Sequence, residues 1–345
     1  MRLALPIAAW ALGLTAPAAA EPGDPPVVAP YIGASQKVEI APGRSLNLVC
    51  MGSGPRTVLF DAGGSDWSVI WALVQPQLAR HARACAYDRA GLGHSDPARG
   101  ERNPIAIVED MHALVRAAGL ERPLVLVGHS LGGFHVKLYA ALHPEDVAGL
   151  VLVDPAEERS WERTREQVTA RYGQRLAARA ELLDRAFFAA LAARYEACRR
   201  QAAAGPLDPA SLAYRRCTDP PRPQLGPSIA AERRRVQLSP AYQGAQASEI
   251  VNGVHGDAGG DAVYARLFRP GRLGWRPTIV LSHGRYDAAD ALDALGQAQG
   301  LALHRESARL SRRGRHRIVE KSGHQIPLDA PGAVVAAVIE VLAAL

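Results

Sequence analysis

"PLVLVGHSLGGFHVKLYAALHPEDVAGLVLVDP", from Pro123 to Pro155, is the stretch on which the reading of this chain turns. An apolar run, Leu124 to Val127, ends in Gly128-His129-Ser130-Leu131-Gly132; a stretch with helical spacing follows, and then a second apolar run, Leu150 to Val153. A serine between two glycines at the point where a strand becomes a helix has a mechanical meaning. The turn is so tight that the serine takes a strained backbone conformation, and side chains at the flanking positions would collide with neighbouring elements, so both are glycine. The turn lifts the Ser130 hydroxyl to the C-terminal edge of a sheet, at the start of a helix whose dipole favours developing negative charge. Ser130 is therefore a candidate nucleophile.

The same alternation runs along most of the chain. "KVEI" and "SLNLVC" flank the turn "APGR" and predict a hairpin. "TVLF" at 57–60, "ARACAYD" at 82–88, "PTIVLSHG" at 277–284 and "RHRIVE" at 315–320 join the two strands above as continuous runs of the kind buried on both faces of a parallel sheet. Helical patterns lie between them: "VIWALVQPQLA", "PIAIVEDMHALVRAAG" and the terminal "AVVAAVIEVLAAL". Strands alternating with helices predict an α/β fold with a doubly wound, mostly parallel sheet. The alternation lapses between Ala156 and about Trp275, which holds Ala-, Arg- and Glu-rich helical sequence and Pro-rich connections, an insertion expected to fold as a helical cap over the sheet edge. The expected divisions are a leader at 1–20, a Pro-rich linker at 21–35, core at 36–155, cap at 156–276 and core again at 277–345.

A serine hydroxyl needs a base to take its proton, and the base needs a third group to hold its tautomer. His324, in "RHRIVEKSGHQIPLDAP", sits in a loop directly after the last strand pattern and before the terminal helix, and this loop returns to the edge that carries Ser130. His135, His304 and His316 lie within helix or strand patterns, where packing or solvated roles suit them. Two aspartates compete for the acid: Asp154, which ends "LVLVD", and Asp287, in "LSHGRYDAAD" after the penultimate strand. Either loop reaches the far nitrogen of His324. Two backbone N–H groups would complete an oxyanion hole. Leu131 supplies one, and the loop "FDAGGSDW" offers Gly64 as the other. That loop is no phosphate cradle, because Trp67 stands where a lysine would be required.

Arg2, the apolar run Leu3 to Leu14 and the small residues Ala18-Ala19-Ala20 form a secretory leader, with cleavage expected after Ala20 and a periplasmic or secreted location for the product. The run is too short, and too broken by Pro6 and Pro17, for a stable membrane span. The formal charge of +6 loses one unit with Arg2. Its positive residues are nearly all arginines set beside glutamates, as in "ERSWERTREQ", which indicates a solvated helix surface and no nucleic-acid partner. In an oxidising compartment the four cysteines are expected to pair as Cys50–Cys85, provided that the strands holding them are neighbours, and Cys198–Cys217, within the arginine-rich middle.

Four pieces together resemble the α/β-hydrolase superfamily: "FDAGGSDW" where a His-Gly loop is commoner, "YDRAGLGHSD" after the next strand, "GHSLGG" at the elbow and "SGHQIPLDAP" at the histidine. The resemblance covers residues 36–155 and 277–345. It implies Ser130 as nucleophile, His324 as base, and Gly64 with Leu131 as the oxyanion pair. In that superfamily the acid usually follows the penultimate strand, which points to Asp287, while "LVLVDPA" resembles branches that carry it earlier, at Asp154. A serine at the elbow departs from the aspartate nucleophile of haloalkane dehalogenases and epoxide hydrolases. The expected activity is hydrolysis of a small-molecule carboxylic ester or related acyl substrate through an acyl-enzyme, with no metal or organic cofactor and with Trp161, Phe187, Phe188 and Tyr195 of the cap available to shape a pocket. Amidase, peptidase or acyltransferase chemistry on the same residues, and a catalytically inactive binding protein, are the alternatives.

Overall fold

The computed structural model describes residues 23–254 and 261–345; the leader expected at 1–20 lies outside the described residues. Among the described residues, one sheet contains β1 (Gln36–Ala41), β2 (Arg44–Met51), β3 (Thr57–Asp61), β4 (Arg83–Tyr87), β5 (Leu124–His129), β6 (Val147–Val153), β7 (Thr278–His283) and β8 (Gly314–Val319). They stand side by side in the order β1-β2-β4-β3-β5-β6-β7-β8, antiparallel through the β1, β2 and β4 pairings and parallel from there on.

The parallel strands read as unbroken apolar runs because each side of the sheet carries its own core, and successive side chains go to opposite sides. Val58, Phe60, Val125, Val127, Val151 and Val153 belong to one cluster with the helix Pro331–Ala343; Leu59, Leu124, Leu126, Leu150 and Leu152 belong to the other, with the helices Pro104–Ala117 and Leu131–Leu142. Burying a leucine or valine in this way contributes roughly 1.5–3 kcal/mol each. β8 departs from the expectation. It is an edge strand whose exposure rises and falls along its length, and Arg315 and Arg317 reach out to Glu340.

The helix expected over 69–79 is a 3-10 turn, Ser68–Trp71, and a single α turn, Gln75–Leu78. Pro76 has no N–H to continue a helix and its ring collides with the preceding turn, so the chain restarts there. The Pro-rich segment read as a linker is packed down: the Tyr31 hydroxyl, buried, donates to Gln75 Oε1 at 2.8 Å, and Asp24 accepts from the backbone N–H of Ser228 at 2.9 Å.

Between β6 and β7 the chain forms the helices Ser160–Tyr172, Gln174–Ala202, Leu212–Cys217, Gly226–Gln237, Pro240–Val251 and Asp261–Leu267. The last of these packs on the sheet side of the molecule, with the Phe134 ring edge-on to Tyr264 at 5.0 Å and to Phe268 at 5.6 Å. Both cysteine pairs are joined. Cys50 and Cys85 face each other in register across β2 and β4, and Cys198 ties the long helix to Cys217.

Candidate active site

Ser130 follows the last residue of β5 with φ +52° and ψ −120°, a conformation few side-chain-bearing residues adopt. Close approach explains its glycines. A Cβ on Gly128 would lie 2.3 Å from the carbonyl oxygen of Gly132, and one on Gly132 would lie 2.4 Å from the carbonyl oxygens of Asp61 and Ala62. The backbone is held in this bend by Ser130 N–H to the Val153 carbonyl at 3.0 Å and by Ala156 N–H to the Ser130 carbonyl at 2.8 Å. Ser130 precedes the first residue of a 12-residue helix but its side chain makes no capping bond to it, which leaves Oγ for other partners.

His324 reaches it. Nε2 lies 3.0 Å from Ser130 Oγ, and Nδ1 lies 2.6 Å from Asp154 Oδ2, across 194 and 170 positions of sequence. Asp154 is the residue directly after β6, at φ +46°, with a side chain only 3% exposed. Burial alone would raise its carboxyl, but hydrogen bonds from His283 and His324, with the His324 and His304 imidazoles close by, hold it well below the usual carboxylate range. An ionised carboxylate only accepts, so the His324 proton sits on Nδ1 and Nε2 is the bare nitrogen that faces the serine.

Asp287 does not meet His324. It is exposed in a turn beyond β7, where its carboxylate accepts Ala289 N–H at 2.9 Å and its own N–H is taken by Asp293 at 2.7 Å. Three residues of loop, Gly284 to Tyr286, separate it from the end of β7, whereas Asp154 has none between it and β6.

Three further histidines surround this pair. His283 gives Asp154 both its backbone N–H, at 3.0 Å, and its ring Nδ1–H, at 2.7 Å, and the latter bond raises the His283 pKa. His304, pushed down by burial, lies 3.9 Å from the other carboxylate oxygen and is fixed by Ser282 Oγ and the Pro155 carbonyl. His129 donates from Nε2 to the carbonyl of His324 at 2.8 Å, so the residue beside the serine holds the loop that carries the imidazole. Sequence reasoning missed these roles. The position of His129 inside the elbow and of His283 at the very end of β7 were the available signals.

Asp154, His283 and His324 also form a group able to offer three ligand atoms within 4.8 Å of one another. Both ring nitrogens, however, stand 2.6 to 2.7 Å from the same carboxylate oxygen. Ligands around a tetrahedral zinc sit roughly 3.3 Å apart, so this spacing suits shared protons.

Gly64 and Leu131 line the same cavity as Ser130, with a Cβ on Gly64 falling 3.8 Å from the Leu131 side chain. The loop carrying Gly64 is clamped from below. Arg89, buried, donates to the carbonyls of Ala62 at 2.6 Å and Gly63 at 2.8 Å, to Asp61 at 2.7 Å, and to Glu249 of the insertion at 2.7 and 2.9 Å. Asp66 on the same loop binds Arg233 at 2.6 Å and Arg222 at 2.8 Å, both from the insertion. The cavity measures about 640 Å³ and is walled by Leu131, Phe187, Phe188, Leu191, Tyr195 and Ile250 among others. Trp161 is elsewhere, buried with Val168, Ala177 and Leu295 and donating to Asp184 at 2.9 Å.

The sequence profile of the family described as "alpha/beta hydrolase fold" matches residues 56–331. The chain belongs to this family. Solved α/β-hydrolase-fold proteins superpose over nearly its whole length: the meta-cleavage product hydrolase of Pseudomonas fluorescens at TM-score 0.56, 18% identical, over 91% of this chain and 98% of that one, and an esterase of Thermogutta terrifontis at 0.55, 20% identical, over 89% and 97%. At such identities the likeness is one of fold. In sequence, efuK of Hormonema carpetanum, named as a transporter, is 36% identical over 121 residues, and the uncharacterized YqjL of Bacillus subtilis is 33% identical over 105. These alignments cover 32% and 30% of this chain, but the first spans 17% and the second 42% of the relative's own length.

Proposed function

We propose that this α/β-hydrolase-fold protein is an exported serine hydrolase of carboxylic esters, with Ser130, His324 and Asp154 as its triad. The observation that carries the reading is the unbroken line from Asp154 Oδ2 through His324 to Ser130 Oγ, at 2.6 and 3.0 Å. His324 Nε2 takes the serine proton as Oγ attacks the acyl carbonyl, and buried Asp154 stabilises the imidazolium that results. The N–H groups of Leu131 and Gly64 receive the oxyanion, aided by the positive end of the helix that starts at Leu131. His324 then returns the proton to the leaving alcohol, and water, activated by the same imidazole, clears the acyl-enzyme. The apolar wall from Leu131, Phe187, Phe188 and Leu191 suits an ester with a hydrocarbon acyl or alcohol part. The paired cysteines and the leader at 1–20 accord with an oxidising compartment.

A fluorophosphonate probe tests the reading at its root. Ser130 in the folded protein is expected to label, Ser130→Ala is not, and an unlabelled parent protein refutes the hydrolase. Turnover of p-nitrophenyl esters against aminoacyl anilides then separates an esterase from an amidase or peptidase: faster anilide turnover overturns the ester assignment.

A further inference from the structure

The edge of the sheet opposite Ser130 carries a feature that the chemistry above does not use. Residues 269–276, which lead into β7, lie beside residues 309–312, which lead towards β8: Gly271 N–H donates to the Arg309 carbonyl at 2.9 Å, Leu273 N–H to Leu310 at 2.8 Å and Arg312 N–H to Gly274 at 2.8 Å. This bracket, with the next residue Arg313, presents five exposed arginines: Arg269, Arg272, Arg309, Arg312 and Arg313. Among the described residues, none of the five has a carboxylate within ion-pair distance. Arg272 and Arg313 are steadied by the neutral carbonyls of Ala141 and Ala344, at 3.0 and 3.2 Å, which leaves their charge uncompensated.

Two observations give the patch a shape. A cleft of about 540 Å³ opens between the start of β8 and the end of the helix Pro331–Ala343, lined by Arg312, Arg313 and Arg315, with Glu340 on its other wall. Glu340 is itself held by Arg315 at 2.9 Å and Arg317 at 2.6 Å, so its charge is already answered. Beside the cleft Trp275 is 65% exposed, with the Arg312 guanidinium 5.6 Å from its ring centroid. A solvated indole with one unpaired guanidinium beside it, on a face that exposes four more, matches a boundary that is anionic outside and apolar just beneath, because indole favours such an interface and arginine binds phosphate in a fork.

We propose that this face docks on an anionic phospholipid surface, with a headgroup phosphate in the Arg312–Arg313 cleft and the Trp275 indole at the level of the headgroups. Ser130, Asp154 and His324 follow the C-terminal ends of their strands, whereas the patch lies where β7 and β8 begin, so docking would leave the cavity mouth facing away from the bilayer. The proposal does not depend on the esterase reading.

Sedimentation of the full chain with vesicles of phosphatidylcholine and phosphatidylglycerol, against phosphatidylcholine alone, tests it. Residues 1–20 are common to every variant, so each variant is read as a difference from the parent. Anionic vesicles are expected to bind the parent, less so as salt rises. Each arginine near such a surface is worth about fivefold, so Arg309→Gln/Arg312→Gln/Arg313→Gln should lower the partition coefficient about 100-fold. Trp275→Phe should diminish the change in emission seen when the parent meets these vesicles, leaving only what Trp10 contributes. Thermal unfolding midpoints that match the parent's keep a lost fold out of the comparison. Equal binding to both vesicle types, undiminished binding by the triple variant, displacement by millimolar glycerol phosphate (a free phosphoester site), or binding to a soluble polyanion such as heparin without binding to vesicles would each overturn the proposal.

Discussion

Asp154→Asn is the sharpest probe of the proposed triad. The side chain it alters is 3% exposed and lies 2.6 Å from His324 Nδ1. A carboxylate and an imidazolium with centres about 4 Å apart attract by about 4 kcal/mol at the effective dielectric of a partly buried site. Losing that attraction in the transition state corresponds to about a thousandfold in kcat. Asparagine can also donate to the ring, favouring the tautomer with its proton facing Ser130, and such replacements cost serine hydrolases roughly ten-thousandfold. A fall in kcat of about 10³ to 10⁴ is therefore expected, with KM little changed. The amide oxygen can keep the bond from the His283 backbone, which is now 3.0 Å, so the fold should survive and circular dichroism should match the parent. Asp287→Asn, at an exposed turn, should stay within about twofold, as surface substitutions generally do. Initial rates on a p-nitrophenyl ester, corrected for labelled active sites, measure both. A loss under tenfold at Asp154, or an equal loss at Asp287, refutes the assignment.

Further expectations follow from groups around the site. Burial and the neighbouring His324 imidazole push His129 down to about 3, and burial and His304 push His316 down to about 4. Both are neutral when folded and bind protons when unfolded, so the stability they contribute is present above about pH 6.5 and drains away as pH falls towards 4, at up to about 1.4 kcal/mol per pH unit for buried His129 and less for His316, which solvent half screens. Urea unfolding between pH 7 and pH 4.5 should show this slope, and an unchanged midpoint would refute it. Arg89→Met takes the guanidinium from the buried carboxylates of Asp61 and Glu249, leaving them His135 and Arg102, and should cost about 3 kcal/mol in denaturant unfolding, with a loss below about 1 kcal/mol counting against the clamp. Cys198–Cys217 closes a loop with a sequence separation of 19, so Cys198→Ser/Cys217→Ser should cost about 3 kcal/mol, read from the shift in unfolding midpoint, and an unshifted midpoint would contradict it.

Much of this protein was legible because it is written locally. Every strand expected from an apolar run is present, since a parallel strand buried on both faces needs apolar side chains at each position. The exception in character, β8, has one paired edge and therefore tolerates arginine at 315 and 317. The elbow was legible for the same reason: the clashes that demand Gly128 and Gly132 arise within a few residues and with the strand next door. The loop position of His324 followed from the strand and helix patterns on either side of it, and the cysteine pairings from the two strand patterns that hold Cys50 and Cys85 and the shared segment that holds Cys198 and Cys217.

The acid did not follow. β6 and β7 are neighbours and run parallel, so both deliver an aspartate to the same edge, and the spacing between adjacent strands is smaller than the reach of either loop. What separates Asp154 from Asp287 is orientation: the first is turned inward at φ +46° and pinned by His283, the second is spent on its own turn. The Arg89 clamp was hidden for a related reason, because its partners Asp61 and Glu249 stand 28 and 160 positions away and carry no local pattern. Sequence by itself determined the strands, the bend and the serine, which depend on steric exclusion between near neighbours; only the tertiary structure decided which carboxylate meets the imidazole and what holds the Gly64 loop, because those depend on where distant backbones aim their side chains.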